Sequence, residues 1–205
     1  MRSSITTPPT AGRTIRTERL ILRPPDAADA LAIARGAGDL DVARMATLIP
    51  HPYPPELADG WIVFAGVRIR RGLEHLFVIE RPGAGAVGAI SLFKRGAAPD
   101  WEVGYWIAKP HWGHGYASEA LAAVLAWARE TLRAARVMAG HFEDNPASRR
   151  VLEKAGFAPT GKACPEYSLA RGARVVCVGM AITLDAPEAA DRAAHGAAAR
   201  AEDVA

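Results

Sequence analysis

The chain has 205 residues, enough for one domain with a sizeable core, and a second full domain is not expected. Half of the residues are hydrophobic and 23% are charged, as in an ordinary soluble globular protein. The formal net charge of +3 is too small to indicate nucleic acid or a membrane surface as a partner.

Targeting and redox signals are sparse. No apolar run approaches the roughly 20 residues that span a bilayer, and the first 18 residues lack the hydrophobic stretch of a signal peptide. Cys164 and Cys177 are too few for a disulfide framework. They could face each other across a hairpin, but reduced, buried thiols and a cytoplasmic location are predicted.

The chain divides into a leader, one domain and a tail. Residues 1–13 are predicted to be a flexible leader, 14–184 the domain, and the Ala-rich residues 185–205 a frayed helix or a disordered tail. Within the domain the predicted elements in chain order are a strand over 14–24, a helix from Asp26, a rigid break over 50–55, a helix over 56–72, strands over 74–82, 86–96 and 100–110, a helix over 116–132, a strand over 133–143, a helix over 145–157 and a strand over 175–184.

Two of these helices have clear signals. The shorter one, 145–157, begins with Asn145 as a capping residue and ends at Gly156. The longer one, 116–132, has a single apolar stripe made of Leu121, Val124, Leu125, Ala128 and Leu132. Strands grouped before and around these helices predict an α/β (α+β) fold with helices on both faces of the sheet.

Two glycine clusters are candidate phosphate loops. The first, 83–88, reads G-x-G-x-x-G, but a short strand follows where a dinucleotide site needs a helix, so a hairpin is predicted. The second, Gly113 and Gly115, lies between a strand and the clearest helix, where backbone N–H groups and the helix dipole can hold an anion. An ordinary glycine-containing turn explains these letters equally well.

Histidines and aromatic residues suggest other sites nearby. His111 and His114 form H-x-x-H, but the adjacent sequence does not complete a ligand set, and no metal is predicted. Stacking of bases would need a basic stripe between the aromatic residues. Packing is therefore predicted instead for Trp101, Tyr105, Trp106, Trp112 and Tyr116.

Three blocks carry a resemblance to a known family. They read TERLILRPPDAADA, WEVGYWIAKPHWGHGYASEAL and DNPASRRVLEKAGF, in that order. Together they resemble the GNAT superfamily of acetyl-CoA-dependent N-acetyltransferases, in particular its RimJ/RimL-type branch of ribosomal-protein N-acetyltransferases, over about residues 14–183. The resemblance implies a mixed, mostly antiparallel central sheet with helices on both faces and a splayed strand pair for acetyl-CoA.

The same resemblance implies the residues that bind acetyl-CoA. The family's pyrophosphate loop, Gln/Arg-x-x-Gly-x-Gly/Ala, falls on WGHGYA, with Trp112 at the Gln/Arg position, which removes one polar anchor. The splayed strand is GYWIA, whose free backbone groups would pair with pantetheine. The implied binding residues are Trp106, Ile107, Ala108, Trp112, Gly113, His114, Gly115, Tyr116, Ala117, Ser118, Asn145 and Ser148.

Acid and base roles are assigned more narrowly. Ser148 matches the serine of the branch's N-x-x-S and is the candidate to protonate the departing thiolate, since Leu152 stands where many relatives have tyrosine. Both Asn145 and Ser148 also suit a helix start. Glu102 is the candidate base for the acceptor amine, with Asp100 a weaker alternative. Glu102 could equally be a strand-edge carboxylate that only orients a cationic substrate.

The acceptor is not readable from the sequence. The resemblance implies a primary amine, on a protein N-terminus or a small molecule, and a possible homodimer. Its determinants would lie in segments such as 36–72 and 160–175, which carry no recognisable pattern. A non-catalytic acyl-CoA-binding sensor on the same fold is the alternative function.

Overall fold

The computed structural model describes residues 14–95 and 100–184, so the predicted leader and tail lie outside the described residues. Its strands are β1 Ile15–Arg16, β2 Ile21–Arg23, β3 Glu74–Arg81, β4 Gly85–Phe93, β5 Trp101–Ile107, β6 Arg136–Phe142, β7 Ala158–Ser168 and β8 Ala173–Thr183. Its α-helices are α1 Ala30–Ala37, α2 Leu40–Ala43, α3 Pro55–Arg70, α4 Tyr116–Trp127 and α5 Pro146–Lys154.

The eight strands form one sheet in the order β1-β2-β3-β4-β5-β6-β8-β7. Every neighbouring pair is antiparallel except β5 and β6, which run parallel. The core on one face includes Leu121 of α4 and Leu152 of α5, and a second cluster includes Ile33 of α1 and Ala58 of α3. This confirms a mixed, mostly antiparallel sheet with helices on both faces. No described helix is long and apolar enough to cross a membrane.

The first and the seventh strands differ from the prediction. The single strand predicted over 14–24 is wrong: a turn closed by Thr17 N–H donating to the Leu20 carbonyl (3.0 Å) splits it into β1 and β2. Strand β7, which is mostly exposed and contains Pro165, was not predicted from the sequence. An edge strand with one neighbour tolerates proline and solvent-facing polar residues, so the usual alternation is weak there.

Several local predictions are confirmed. The first glycine cluster forms the β3–β4 hairpin, with Gly83 at φ 81° and Gly85 at φ 75°. Asp26 starts the first helical segment, a 3₁₀ turn leading into α1, by accepting from the Ala28 N–H at 2.9 Å. The predicted helix over 116–132 is α4 followed by a π-helical turn, Ala128–Leu132.

The parallel pair β5–β6 positions the candidate site. Its register joins Trp101 to Val137, Glu102 to Met138 and Val103 to Ala139. In the part of the chain that the structure describes, the two strands do not pair beyond Val103 and Ala139, although β5 continues to pair with β4 up to Ile107. The strands therefore splay apart, and α4 and α5 begin just after them.

A buried histidine predicts how stability depends on pH. His75 is 2% exposed and packs against Trp101 and Trp127, at ring-centroid distances of 4.8 and 5.0 Å. Burial lowers the pKa of His75 from 6.5 to about 4. Because the unfolded chain binds this proton near pH 6.5 and the folded chain only near pH 4, the folded state loses stability as pH falls through that window, by up to about 3 kcal/mol.

Chemical denaturation of the wild type and of His75→Phe at pH 7 and pH 4.5 measures this loss. The variant keeps an aromatic ring but cannot take up the proton, so its free energy of unfolding should fall less on acidification. An equal fall in the two proteins would show that other groups carry the acid sensitivity.

Candidate active site

The loop before α4 presents unused backbone donors. Gly113 and Gly115 both have φ of 78°, which a residue with a Cβ adopts only at a cost. Among the hydrogen bonds of the described residues, none uses the backbone N–H groups of 113–118. The start of α4 adds positive potential at the same place. The loop can therefore hold an anion. Of the two interpretations that the sequence left open, an anion loop and an ordinary glycine-containing turn, this geometry favours the first.

Two cationic side chains that were not predicted from the sequence, Arg19 and Lys154, border this loop. A depression of about 460 Å³ is lined by Arg19, Lys154 and five residues of the loop and first helical turn, namely Gly113, His114, Gly115, Ser118 and Glu119. Arg19 donates through Nη1 to the His114 carbonyl (2.9 Å) and through Nε to Glu119 (2.7 Å). Although burial opposes it, hydrogen bonds from Thr17 and Arg19 hold the pKa of Glu119 below its usual value. No local pattern links residue 19 to a loop about 95 positions later.

Trp112 ties the loop to the splayed strand. Its indole Nε1–H donates to the Ile107 carbonyl at 2.7 Å, although the side chain is 45% exposed. His114 stacks on Tyr116, with ring centroids 5.4 Å apart, and its Nδ1 lies 2.8 Å from the Trp112 carbonyl. Within residues 14–95 and 100–184, no group of three His, Cys, Asp or Glu side chains could hold a metal.

The backbone of β5 faces two ways. The Ala108 N–H donates to the Val87 carbonyl on β4 at 2.9 Å. Because antiparallel partners alternate, the backbone groups of Trp106 also face β4, and those of Tyr105 and Ile107 face the splay. The Trp106 side chain packs towards α1, where a Cβ on Gly36 would lie 2.9 Å from its ring. Tyr105 and Ile107 of β5 therefore offer backbone groups to the splay, whereas Trp106 and the next residue after the strand, Ala108, do not.

The start of α5 brings Ser148 to the other side of the splay. Asn145 caps the helix by accepting from the Ser148 N–H at 3.0 Å, as predicted. The Ser148 hydroxyl lies 3.0 Å from the Tyr105 hydroxyl, a partner that the sequence analysis did not find. Burial raises the pKa of Tyr105 to about 12, against the opposing effect of its Ser148 hydrogen bond, so the phenol is neutral. Leu152 is fully buried in the core.

Glu102 lies on one of the last paired rungs before the splay, and its carboxylate is bound by an arginine. Both of its carboxylate oxygens accept from Arg95, Oε2 from Nε at 2.9 Å and Oε1 from Nη2 at 3.0 Å. Arg95 also donates to Glu166 of β7 at 3.0 Å. Asp100 pairs loosely with Arg136 at 3.7 Å. Glu102 is thus a fixed, partly exposed carboxylate at the closed base of the splay, where the two strands begin to separate.

Comparison with known proteins identifies the family. The model of the acetyltransferase (GNAT) domain matches residues 19–158. The chain belongs to the GNAT acetyltransferases. YoaA, an uncharacterized N-acetyltransferase of Bacillus subtilis strain 168, is 32% identical over 152 residues, 72% of this chain and 84% of the relative.

Solved GNAT structures share the fold over nearly their whole length. Mycobacterium smegmatis RimJ in complex with CoA-disulfide has a TM-score of 0.76 and 27% identity, covering 93% of this chain and 97% of RimJ. Spermidine N-acetyltransferase of Vibrio cholerae, in complex with CoA and spermine, has a TM-score of 0.69 and 20% identity, covering 83% of this chain and 98% of that enzyme. The RimJ/RimL-type resemblance is confirmed, and the GNAT chain is an acetyl-CoA-dependent acetyltransferase.

Proposed function

We propose that this acetyltransferase moves the acetyl group of acetyl-CoA to a primary amine, on a protein N-terminus or a small molecule, by direct attack on the thioester. One observation carries the proposal: the unused N–H groups of 113–118 lie at the end of the same strand, β5, whose backbone is free along the splay. A phosphate-bearing ligand with an amide-containing arm matches both features.

The residues present fit acetyl-CoA. Its pyrophosphate would accept from the 113–118 backbone, with Arg19 and Lys154 supplying the positive charge that a side chain at position 112 does not. Pantetheine would pair with the free backbone groups of Tyr105 and Ile107 as an added strand. Trp112 already holds the Ile107 carbonyl, so of the two backbone groups of that residue the N–H is the one available.

Side chains on the two sides of the splay suit the transfer. Acetyl-CoA supplies an activated acyl group, so the protein has only to deprotonate the amine, orient it and assist the departing sulfur. Glu102 can take the proton from the acceptor ammonium. Ser148 can donate a hydrogen bond to the thiolate, and its Tyr105 partner fixes the hydroxyl. An alcohol is a weaker acid than a thiol, so Ser148 acts by that hydrogen bond rather than by giving up its proton.

A thiol-release assay on a panel of amines tests the proposal. We expect steady CoA release with at least one of four acceptor classes, namely N-terminal peptides, polyamines, amino acids and aminoglycosides. Mass spectrometry should then show one added acetyl group on the amine. The control without acceptor measures plain hydrolysis of the thioester. Tight acetyl-CoA binding with no turnover on any class would contradict transfer and favour the sensor.

A further inference from the structure

Arg95 lies at the closed base of the splay, where β5 and β6 begin to separate. It follows β4, holds Glu102 of β5 with two of its nitrogens and reaches Glu166 of β7 with the third, at 2.9, 3.0 and 3.0 Å. In the sheet order, β6 and β8 lie between β5 and β7. Glu166 lies near the turn between β7 and β8. This end of the hairpin must therefore bend over the face of the sheet to bring Glu166 to the Arg95 guanidinium.

This contact joins the two halves of the sheet on the side of Glu102. One half ends at β5 and the other begins at β6, and among the residues that the structure describes three rungs pair these two strands below the splay. The guanidinium also fixes the Glu102 side chain, because a two-point contact with a planar group allows one orientation. A carboxylate has about four acceptor positions, so two remain for an acceptor amine.

We propose that Arg95 is a positioning residue for acetyl transfer, which holds the Glu102 carboxylate in the orientation that meets the acceptor amine at the base of the splay. The inference rests on the proposed function, with Glu102 as the group that receives the amine. Arg95 lies away from the 113–118 loop, so it acts on the use of the acceptor and not on the binding of acetyl-CoA.

A purely structural ion pair predicts something different. Arg95 is 56% exposed, and exposed ion pairs contribute little to stability. Arg149, which is 60% exposed and donates to Glu153 at 2.7 Å, is a matched arginine with the same kind of pair inside one helix. If Arg95 only formed an exposed ion pair with no effect on catalysis, Arg95→Met and Arg149→Met would have the same stability and the same turnover.

Steady-state kinetics with a double-mutant cycle test the role. With the acceptor found in the amine panel, Arg95→Met should lower kcat/KM for the acceptor at least about 10-fold, the cost of a misplaced catalytic group. The KM for acetyl-CoA should stay within about twofold, and Arg149→Met should match the wild type. Arg95→Lys, which keeps the charge but not the two-point contact, should fall between wild type and Arg95→Met.

The cycle decides whether Arg95 acts through Glu102. Combining Arg95→Met with Glu102→Gln should be no worse than Glu102→Gln alone, because a positioning residue has nothing left to position. Additive losses, an unchanged acceptor kcat/KM, or an equal rise in the KM for acetyl-CoA would each overturn the inference. Wild-type turnover in the same assay separates the two claims, since its absence on every amine contradicts the proposed function itself.

Discussion

Gly115→Val is expected to raise the Kd for acetyl-CoA by about 100-fold or more, as measured by calorimetry. In the proposed function the loop binds the pyrophosphate through its backbone N–H groups, and hydrogen bonds to a charged partner contribute roughly 1.5–3 kcal/mol each. Gly115 has φ 78°, so valine would shift the loop backbone, and its side chain would enter the depression beside Arg19. Losing one or two of these hydrogen bonds accounts for the expected factor.

Gly72→Val is the matched control for backbone strain. Gly72 has φ 67° in the turn between α3 and β3, and a Cβ there meets no atom within 4 Å. It should lose stability much as Gly115→Val does but bind acetyl-CoA like the wild type. If Gly115→Val bound acetyl-CoA as tightly as the wild type does, the assignment of this loop to the pyrophosphate would be wrong.

Glu102→Gln is expected to lower kcat by about 10²-fold or more at neutral pH, the usual range for removing a general base. The glutamine side chain has nearly the same shape as glutamate, and its amide oxygen still accepts a hydrogen bond from Arg95. It can no longer take a proton from the acceptor amine. The loss should be largest at low pH, where the acceptor amine is charged, and should narrow as the amine deprotonates on its own. The pH–rate profile of the two proteins measures this.

Glu74→Gln is the control for this change. Glu74 lies in the same cross-strand row, since it is opposite Phe93 and Phe93 is opposite Glu102. It too is paired with an arginine, Arg68, at 2.8 Å. Turnover should be unaffected in Glu74→Gln. A Glu102→Gln profile parallel to the wild type at every pH would leave Glu102 with an orienting role only.

The sequence predicted most of the fold because most elements have strong local signals. The apolar stripe through Leu121 and Val124 and the Asn145 cap depend on neighbours within one or two turns, and both are found as predicted. The exceptions have local causes too. The turn from Thr17 to Leu20 lies inside an alternating stretch, and edge strand β7 has one neighbour and weak alternation.

The candidate site was predictable only where it is made of consecutive residues. The loop around Gly113 and Gly115 could be found, because spacing and the following helix are visible in the letters. The pairs Arg95–Glu166 and Tyr105–Ser148 join residues 71 and 43 positions apart, and only the fold brings them together. The bond from the Trp112 indole to the Ile107 carbonyl was not predicted for a different reason, because it uses a main-chain group that no side-chain pattern reports.

The contact between Arg19 and the loop has a consequence for how the protein is made. The partners of Arg19, the His114 carbonyl and Glu119, lie 95 and 100 residues after it. During synthesis from the N-terminus, Arg19 therefore leaves the ribosome long before His114 and Glu119 are made. Contacts between residues so far apart in the sequence form slowly in folding. Arg19, the cation beside the 113–118 loop, belongs to the turn between β1 and β2, the first two strands to be synthesised. A truncation that begins just after residue 19 would keep the glycines, α4 and α5, and would still lack the side chain that holds the loop in place.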